Sequence, residues 1–291
     1  MMRSLRIRAS GQRGIALLVV LWGCTLAAIT LGALASNARV EGVEARGQYR
    51  KVQASYAAEA GIEQAVYRLR AMDEAERWAT DGRSYTWREG DIHVGVSMVD
   101  EDGKVDLNRA TPERIEALLL ALGIEPDRAR AATAAIVGWG ARRPIESDAL
   151  LARGGFASLE ELHGVQGLDV DIITRIEPSL TLWGLEEPNL AHASPAVVSA
   201  VTGADAATSA AYVARVRDLA GGFTTLPPVP GNRPGTAVRR SSGTVNIVSR
   251  AAIEGGLTLT IDATVILKNE PGDPRAYRVV RWRELVSESG S

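Results

Sequence analysis

Arg13-Gly14-Ile15-Ala16-Leu17-Leu18-Val19-Val20-Leu21-Trp22-Gly23-Cys24 joins a basic N-terminus to an apolar run. No charged residue occurs from Gly14 to Ala38. That stretch exceeds the roughly 20 residues a helix needs to cross a bilayer. Arg3, Arg6, Arg8 and Arg13 precede it with no acidic residue among them. The basic flank is therefore expected to stay cytoplasmic, and everything after Arg39 to be translocated. This predicts a single membrane pass with a translocated C-terminal part, periplasmic or extracellular.

Three processing signals compete for this segment. A cut after Gly14 would leave Ile15 as a new N-terminus on the cytoplasmic side of the apolar helix, an arrangement that resembles a type IV prepilin. A signal-peptide cut after Ala33-Leu34-Ala35 would release a soluble protein starting at Ser36. Leu21-Trp22-Gly23-Cys24 is lipoprotein-like, but Trp is bulky for such a site and the residues after Cys24 stay apolar. The residues beyond the apolar run favour the first, because helical character persists to Met72, with Ile62, Val66 and Leu69 at i, i+4 and i+7. A helix from Ile15 to Met72 would be about 85 Å long. Gly42, Gly47 and Gly61 would each weaken it by about 1 kcal/mol, so a bend or partial melt is expected there.

The 291 residues suffice for one sizeable translocated domain or two small ones. The first 38 residues hold four of the 33 Lys and Arg and none of the 35 Asp and Glu. The remainder carries 29 against 35, a net charge of −6 that argues against non-specific nucleic-acid binding. Cys24 is the sole cysteine, so packing or bound ions must stabilise the translocated part.

Ser84 to Arg88 and Asp91 to Val99 read as strands around Glu89-Gly90, with Ile92, Val94, Val96 and Met98 alternating with polar or small residues. Asp102-Gly103 reads as a tight turn before a strand at Lys104 to Leu107. From Thr111 to Leu219 the period is helical. Thr111-Pro112-Glu113 starts one helix, and Ser158 with Glu161 forms a capping-box pattern before another. The β period returns at Thr244 to Ile253, in the alternation Leu257, Leu259, Ile261, Ala263, Val265, Leu267, and at Arg275 to Arg283. Gly222 to Ser242 holds four of the twelve prolines and reads as the loop returning from a helical insertion to a small antiparallel sheet. Leu107-Asn108-Arg109-Ala110-Thr111-Pro112 is faintly repeated by Leu190-Ala191-His192-Ala193-Ser194-Pro195. Duplication and a shared helix-start signature explain this about equally well.

The order of basic leader, Gly14-Ile15, Tyr56-Ala57-Ala58-Glu59-Ala60-Gly61-Ile62 and Asp100-Glu101-Asp102-Gly103-Lys104-Val105-Asp106-Leu107-Asn108 resembles the protein K family, minor pseudopilins of the type II secretion system. Phe156-Ala157-Ser158-Leu159-Glu160-Glu161-Leu162, Glu177-Pro178-Ser179-Leu180-Thr181 and Arg278-Val279-Val280-Arg281-Trp282-Arg283 extend the likeness over nearly the whole chain. The resemblance implies an α+β fold: a long pilin-like N-terminal helix packed on a small antiparallel sheet, with a large inserted all-α domain containing helix-hairpin-helix-like pieces. The expected divisions are a prepilin leader at 1–14, a transmembrane and assembly helix at 15–38, a pilin-like helix and first strands at 39–108, the helical insertion at 109–235 and returning strands at 236–291.

The resemblance also implies partners: the other minor pseudopilins (proteins I and J), a prepilin peptidase that cuts after Gly14 and methylates the Ile15 amine, and the inner-membrane assembly platform. Most pilins carry a glutamate five residues into the mature chain; here that position is Val19, and protein K characteristically lacks the acid. A tip subunit has no neighbour ahead whose terminal amine the glutamate would neutralise. On the residues alone, Val19 is a lipid-facing position.

Asp100, Asp102 and Asp106 offer oxygens for a possible structural calcium, although their spacing is not that of a complete calcium loop. The resemblance implies calcium binding in some relatives, without a residue-by-residue match of their ligands to positions here. His93, His163 and His192 are scattered, and no nucleophile or phosphate-loop motif is present, so no enzyme is expected. The reading from another class is a secreted helix-hairpin-helix DNA-binding or DNA-uptake protein with a cleavable signal peptide. It rests on Leu122-Gly123-Ile124 and Val165-Gln166-Gly167-Leu168. Where such hairpins approach phosphate, this chain has Pro126-Asp127 and Val170-Asp171, which remove a donor and repel phosphate.

Overall fold

The structure is a computed structural model that describes residues 12–141, 155–219, 227–231, 242–254, 256–267 and 276–288. Arg3, Arg6 and Arg8 of the expected leader lie outside the described residues, as does most of the expected return loop, Gly222 to Ser242. The chain forms two compact units, Met1–Gln53 and Ala54–Ser291.

Helix α1 (Gln12–Leu69) runs through Gly42, Gly47 and Gly61 without a break, so the partial melt expected there is absent. It stops at Leu69 rather than Met72: the Arg70 N–H is shared between the Val66 and Tyr67 carbonyls, and the Ala71 N–H turns back to Arg68. In the second unit, Ala54, Ala58, Ile62 and Ala65 of α1 are buried in one hydrophobic core with Val94, Val96, Met98, Ile247, Leu259, Ile261 and Ala263.

Those partners belong to a five-stranded antiparallel sheet of β1 (Asp81–Glu89), β2 (Ile92–Asp100), β5 (Thr244–Ile253), β6 (Leu257–Leu267) and β7 (Tyr277–Glu288), in the order β1-β2-β5-β6-β7. Period-2 alternation fixes the register, because a one-residue slip would turn Leu259, Ile261, Ala263 and Val265 out of the core. Strands β2 and β5 are neighbours, although more than a hundred residues of chain separate them.

The intervening chain departs from the sequence expectation in two places. Asp102-Gly103 does not turn into a strand of the main sheet. The Asp100 side chain accepts the Asp102 N–H at 2.9 Å and draws Glu101–Gly103 into a 3₁₀ turn. The following strand β3 is only Val105–Asp106, and it pairs in parallel with β4 (Leu180–Thr181). The segment is therefore not all-α. Around this short pair lie α2 (Pro112–Ala121), α3 (Pro126–Gly140), α4 (Val170–Ile176), α5 (Pro195–Thr202) and α6 (Ala206–Asp218). They share a second core that includes Leu118, Leu119, Ile136, Leu162, Ile173, Ile176 and Tyr212.

The second departure is at Ser158, which precedes a 3₁₀ segment, Leu159–Gly164, and makes no side-chain cap hydrogen bond. Glu161 is engaged elsewhere: its carboxylate accepts the Ala157 N–H and the Trp139 Nε1–H, each at 3.3 Å.

The two repeated hexapeptides occupy equivalent places. Thr111 caps α2 and Ser194 caps α5, each with proline in the first turn. Each helix then turns at a positive-φ glycine, Gly123 or Gly203, into the next. On the sheet face away from α1, Arg283 bridges Asp262 and Glu160 of the 3₁₀ segment, both at 2.9 Å, and Asn246 donates to Asp262 at 2.6 Å. Burial alone would raise the Asp262 pKa. The hydrogen bonds from Arg283 and Asn246 and the charge of Arg281 outweigh it and hold the carboxyl below its ordinary value. This network therefore contributes stability above the ordinary carboxylate range and loses it as pH falls through the lowered folded value.

Candidate functional site

The apolar span of α1, Ile15–Leu34, covers 20 residues, none of them buried. Ile15 is 67% exposed and Val19 65% exposed. Gly14 lies within α1. The span's hydroxyls turn back onto the helix: Thr25 donates to the Leu21 and Trp22 carbonyls at 3.0 and 2.9 Å, and Thr30 to Ala27 at 2.9 Å. With polar groups satisfied internally and no charged side chain, the helix meets the conditions for a bilayer. Cys24 is an exposed free thiol on it.

Where α1 enters the second unit, the helix and sheet meet through small residues. A Cβ on Gly61 would lie 2.1 Å from Ser249 Oγ and 3.0 Å from Val96 Cγ2. Glycine at 61 and serine at 249 thus permit the close approach. One flank of α1 is lined by Trp78, Tyr85 and Trp87 with Gln64 and Arg68, around an open hollow of about 460 Å³. Trp78 stacks on Tyr85 with ring centroids 4.2 Å apart. On the other flank, Tyr277 Oη donates to Glu63 at 2.5 Å and Arg70 donates to the Ala276 carbonyl at 3.0 Å. Burial and the adjoining Glu63 and Glu59 carboxylates push the Tyr277 pKa up to about 12.

The three aspartates considered for calcium are buried, but their oxygens face protein donors. Asp102 accepts the Ser242 N–H at 2.5 Å and the Ser242 hydroxyl at 2.9 Å. Asp106 accepts from the backbone N–H groups of Asn108, Arg109 and Gly184 at 2.9, 3.1 and 3.0 Å. Asp100 accepts the Asp102 N–H, and its Oδ2 lies 3.7 Å from His192 Nε2. Among the described residues, no three His, Cys, Asp or Glu side chains converge as a metal site. The trio ties together chain segments where the helical region leaves and rejoins the sheet.

The hairpins of the DNA reading carry carboxylates of their own at the helix starts. At the first, Glu125 accepts the Asp127 and Arg128 N–H groups; at the second, Asp169 precedes α4 without a side-chain cap hydrogen bond. Asp169 and Asp171 both pair with Arg128. At the first hairpin the N–H groups that would approach a phosphate are thus already engaged, and at the second the carboxylates of Asp169 and Asp171 stand where a phosphate would come. His93 lines a hollow on the sheet's outer face beside Arg250, whereas His192 contacts Asp100 and Thr80.

No protein-family model matches the sequence, and no curated protein does. Among solved structures, a chain in the crystal structure of the GspK-GspI-GspJ complex from the enterotoxigenic Escherichia coli type 2 secretion system superposes with a TM-score of 0.57. It is 13% identical, and the match covers 84% of this chain and 100% of that one. The fold is pseudopilin-like. The features that place it there are the apolar N-terminal helix and the antiparallel sheet on which its second half packs. The Tyr56 to Ile62 motif supplies that packing through Ala57, Ala58, Gly61 and Ile62. The Gly61–Ser249 contact is not legible in the sequence alone, although the small residues at 54, 57, 58, 61 and 65 are its signal.

Proposed function

We propose that this chain is a minor pseudopilin of a type II secretion system, working by association rather than catalysis. The observation that carries the reading is one polypeptide combining an exposed 20-residue apolar helical span with a pseudopilin-like helix-on-sheet unit. A prepilin peptidase cuts after Gly14 and methylates the Ile15 amine. Before assembly the apolar span anchors the chain in the inner membrane, with the C-terminal part periplasmic. The helix then packs against those of other minor pseudopilins, proteins I and J, on the inner-membrane assembly platform.

Val19 supports a place at the pseudopilus tip. A glutamate there with no subunit ahead would cost about 2.5 to 3.5 kcal/mol in the apolar phase, and valine avoids that cost. The helical region between β2 and β5 supports the same place, since its bulk is easier to seat at an end than in a repeating stack. There the subunit initiates or caps the filament.

The deciding experiment is mass spectrometry of the mature N-terminus after expression with and without a prepilin peptidase. A peptidase-dependent start at methylated Ile15 is expected. A start at Ser36 would sink the reading in favour of the secreted hairpin protein. For the tip, Val19→Glu is expected to lower initiation of pseudopilus assembly, scored as pili per cell; unchanged assembly would remove the argument from Val19.

A further inference from the structure

The α1-facing side of β7 is left half covered. In the register Val279, Trp282 and Val286 stand opposite Val265, Ala263 and Leu259, so they share the face on which α1 packs. The three partners are fully buried, whereas Val279, Trp282 and Val286 are 42, 42 and 44% exposed. Glu284 lies in the same row as the helix contact: it pairs with Ile261, which pairs with Ser249, the residue beneath Gly61. Glu59 and Glu63 stand on the α1 flank above, both acting on Tyr277. The result is an apolar row on β7 with Glu284 set between Trp282 and Val286, and with Glu59 and Glu63 on the α1 side. Among the described residues Arg70, tied to the Ala276 carbonyl, places a cation at its Tyr277 end.

The opposite flank of α1 differs, because there Trp78 and Tyr85 cover one another. Addition of a strand to β7 is opposed by the bulge at Thr264/Val265 and by Arg278, Arg281 and Arg283 along the strand. A helix meets neither obstacle. Val279 to Val286 spans about 20 Å, matching about four turns of helix.

The geometry points to a docking trough between α1 and β7 for an amphipathic helix of a partner pseudopilin, with its apolar ridge on Val279, Trp282 and Val286 and basic side chains toward Glu59, Glu63 and Glu284. This rests on the proposed function and specifies which surface recruits the partner. Charge complementarity selects a basic-flanked helix over an acidic one and sets the orientation of the flanks.

The test co-expresses the full chain with the other minor pseudopilins of its own secretion system and measures their capture from detergent extracts. Trp282→Glu and, separately, the exposed pair Glu59→Lys with Glu284→Lys are each expected to lower capture by about tenfold, as loss of an interface anchor does. Leu285→Glu, on the opposite face of β7, is expected to leave capture unchanged. Thermal unfolding establishes that each variant is folded. Capture by wild type that persists undiminished in both trough variants overturns the trough alone. An equal loss with Leu285→Glu overturns it in favour of the other face or strand addition, and capture of only a second copy of this chain overturns the choice of occupant. Wild type that captures no pseudopilin overturns the proposed function as well.

Discussion

Gly61→Leu is expected to destabilise the Ala54–Ser291 unit by about 3 kcal/mol, the upper end of what overpacking costs. A Cβ at 61 already lies 2.1 Å from Ser249 Oγ and 3.0 Å from Val96 Cγ2, and leucine adds three more carbons in a fully packed direction. Helix propensity returns only about 1 kcal/mol of this. Relief requires α1 to lift from the sheet, which exposes Ile62 and Val66 and opens the core they share with Val94 and Ile261. At about 2–4 °C per kcal/mol for a unit of this size, Tm should fall by about 10 °C. Gly61→Ala should cost much less, since the helix gain offsets most of a clash that Ser249 can ease by rotating its hydroxyl. Ser249→Gly should then stabilise the alanine variant more than it affects wild type. Thermal unfolding of the four combinations by near-ultraviolet circular dichroism measures that coupling. If Gly61→Leu melts with wild type, the close approach of helix and sheet is not what holds this unit together.

The contact also marks where the sequence is readable. Periodicity finds the helix stripe through Ile62, Val66 and Leu69 and the strands β2, β5 and β6, because a buried face repeats every 3.6 or 2 residues regardless of its partner. Partners are not readable: nothing local to Gly61 names Ser249, which lies 188 positions away in the sequence. Asp102-Gly103 misleads for the same reason. The pair is a good hairpin turn by composition. Its conformation, however, is set by Asp100 capping the Asp102 N–H and by the His192 carbonyl, which lies where a Cβ on Gly103 would be. The backbone donors that meet the three aspartates, from Asp102 to Ser242, are likewise invisible in the spacing of the carboxylates. The membrane run needs no partner to be legible, since its signature is length and lack of charge.

Asp102→Ala should be the most damaging single change where the helical region joins the sheet. Asp102 is fully buried, and its carboxylate takes both the N–H and the hydroxyl of Ser242, two residues before β5 begins. Its own carbonyl accepts the Asn189 N–H at 2.7 Å, so one residue joins the outgoing chain, the α4–α5 connection and the returning chain. Hydrogen bonds to a charged acceptor contribute about 1.5–3 kcal/mol each. Release of the buried charge offsets part of their loss, leaving a cost of about 3 kcal/mol. Asn retains an acceptor for the Ser242 N–H and can donate to the Ser242 hydroxyl, so Asp102→Asn should lose only about 1 kcal/mol, the ordinary value of a neutral hydrogen bond. Because the tie is local, the loss should show as earlier hydrogen exchange at Thr244 to Ile247, ahead of the centre of β6. Uniform acceleration across the whole sheet would mean that Asp102 contributes only to global stability. Protection equal to wild type in the alanine variant would mean that the return to the sheet is held by strand pairing of β5 with β2 and β6 alone.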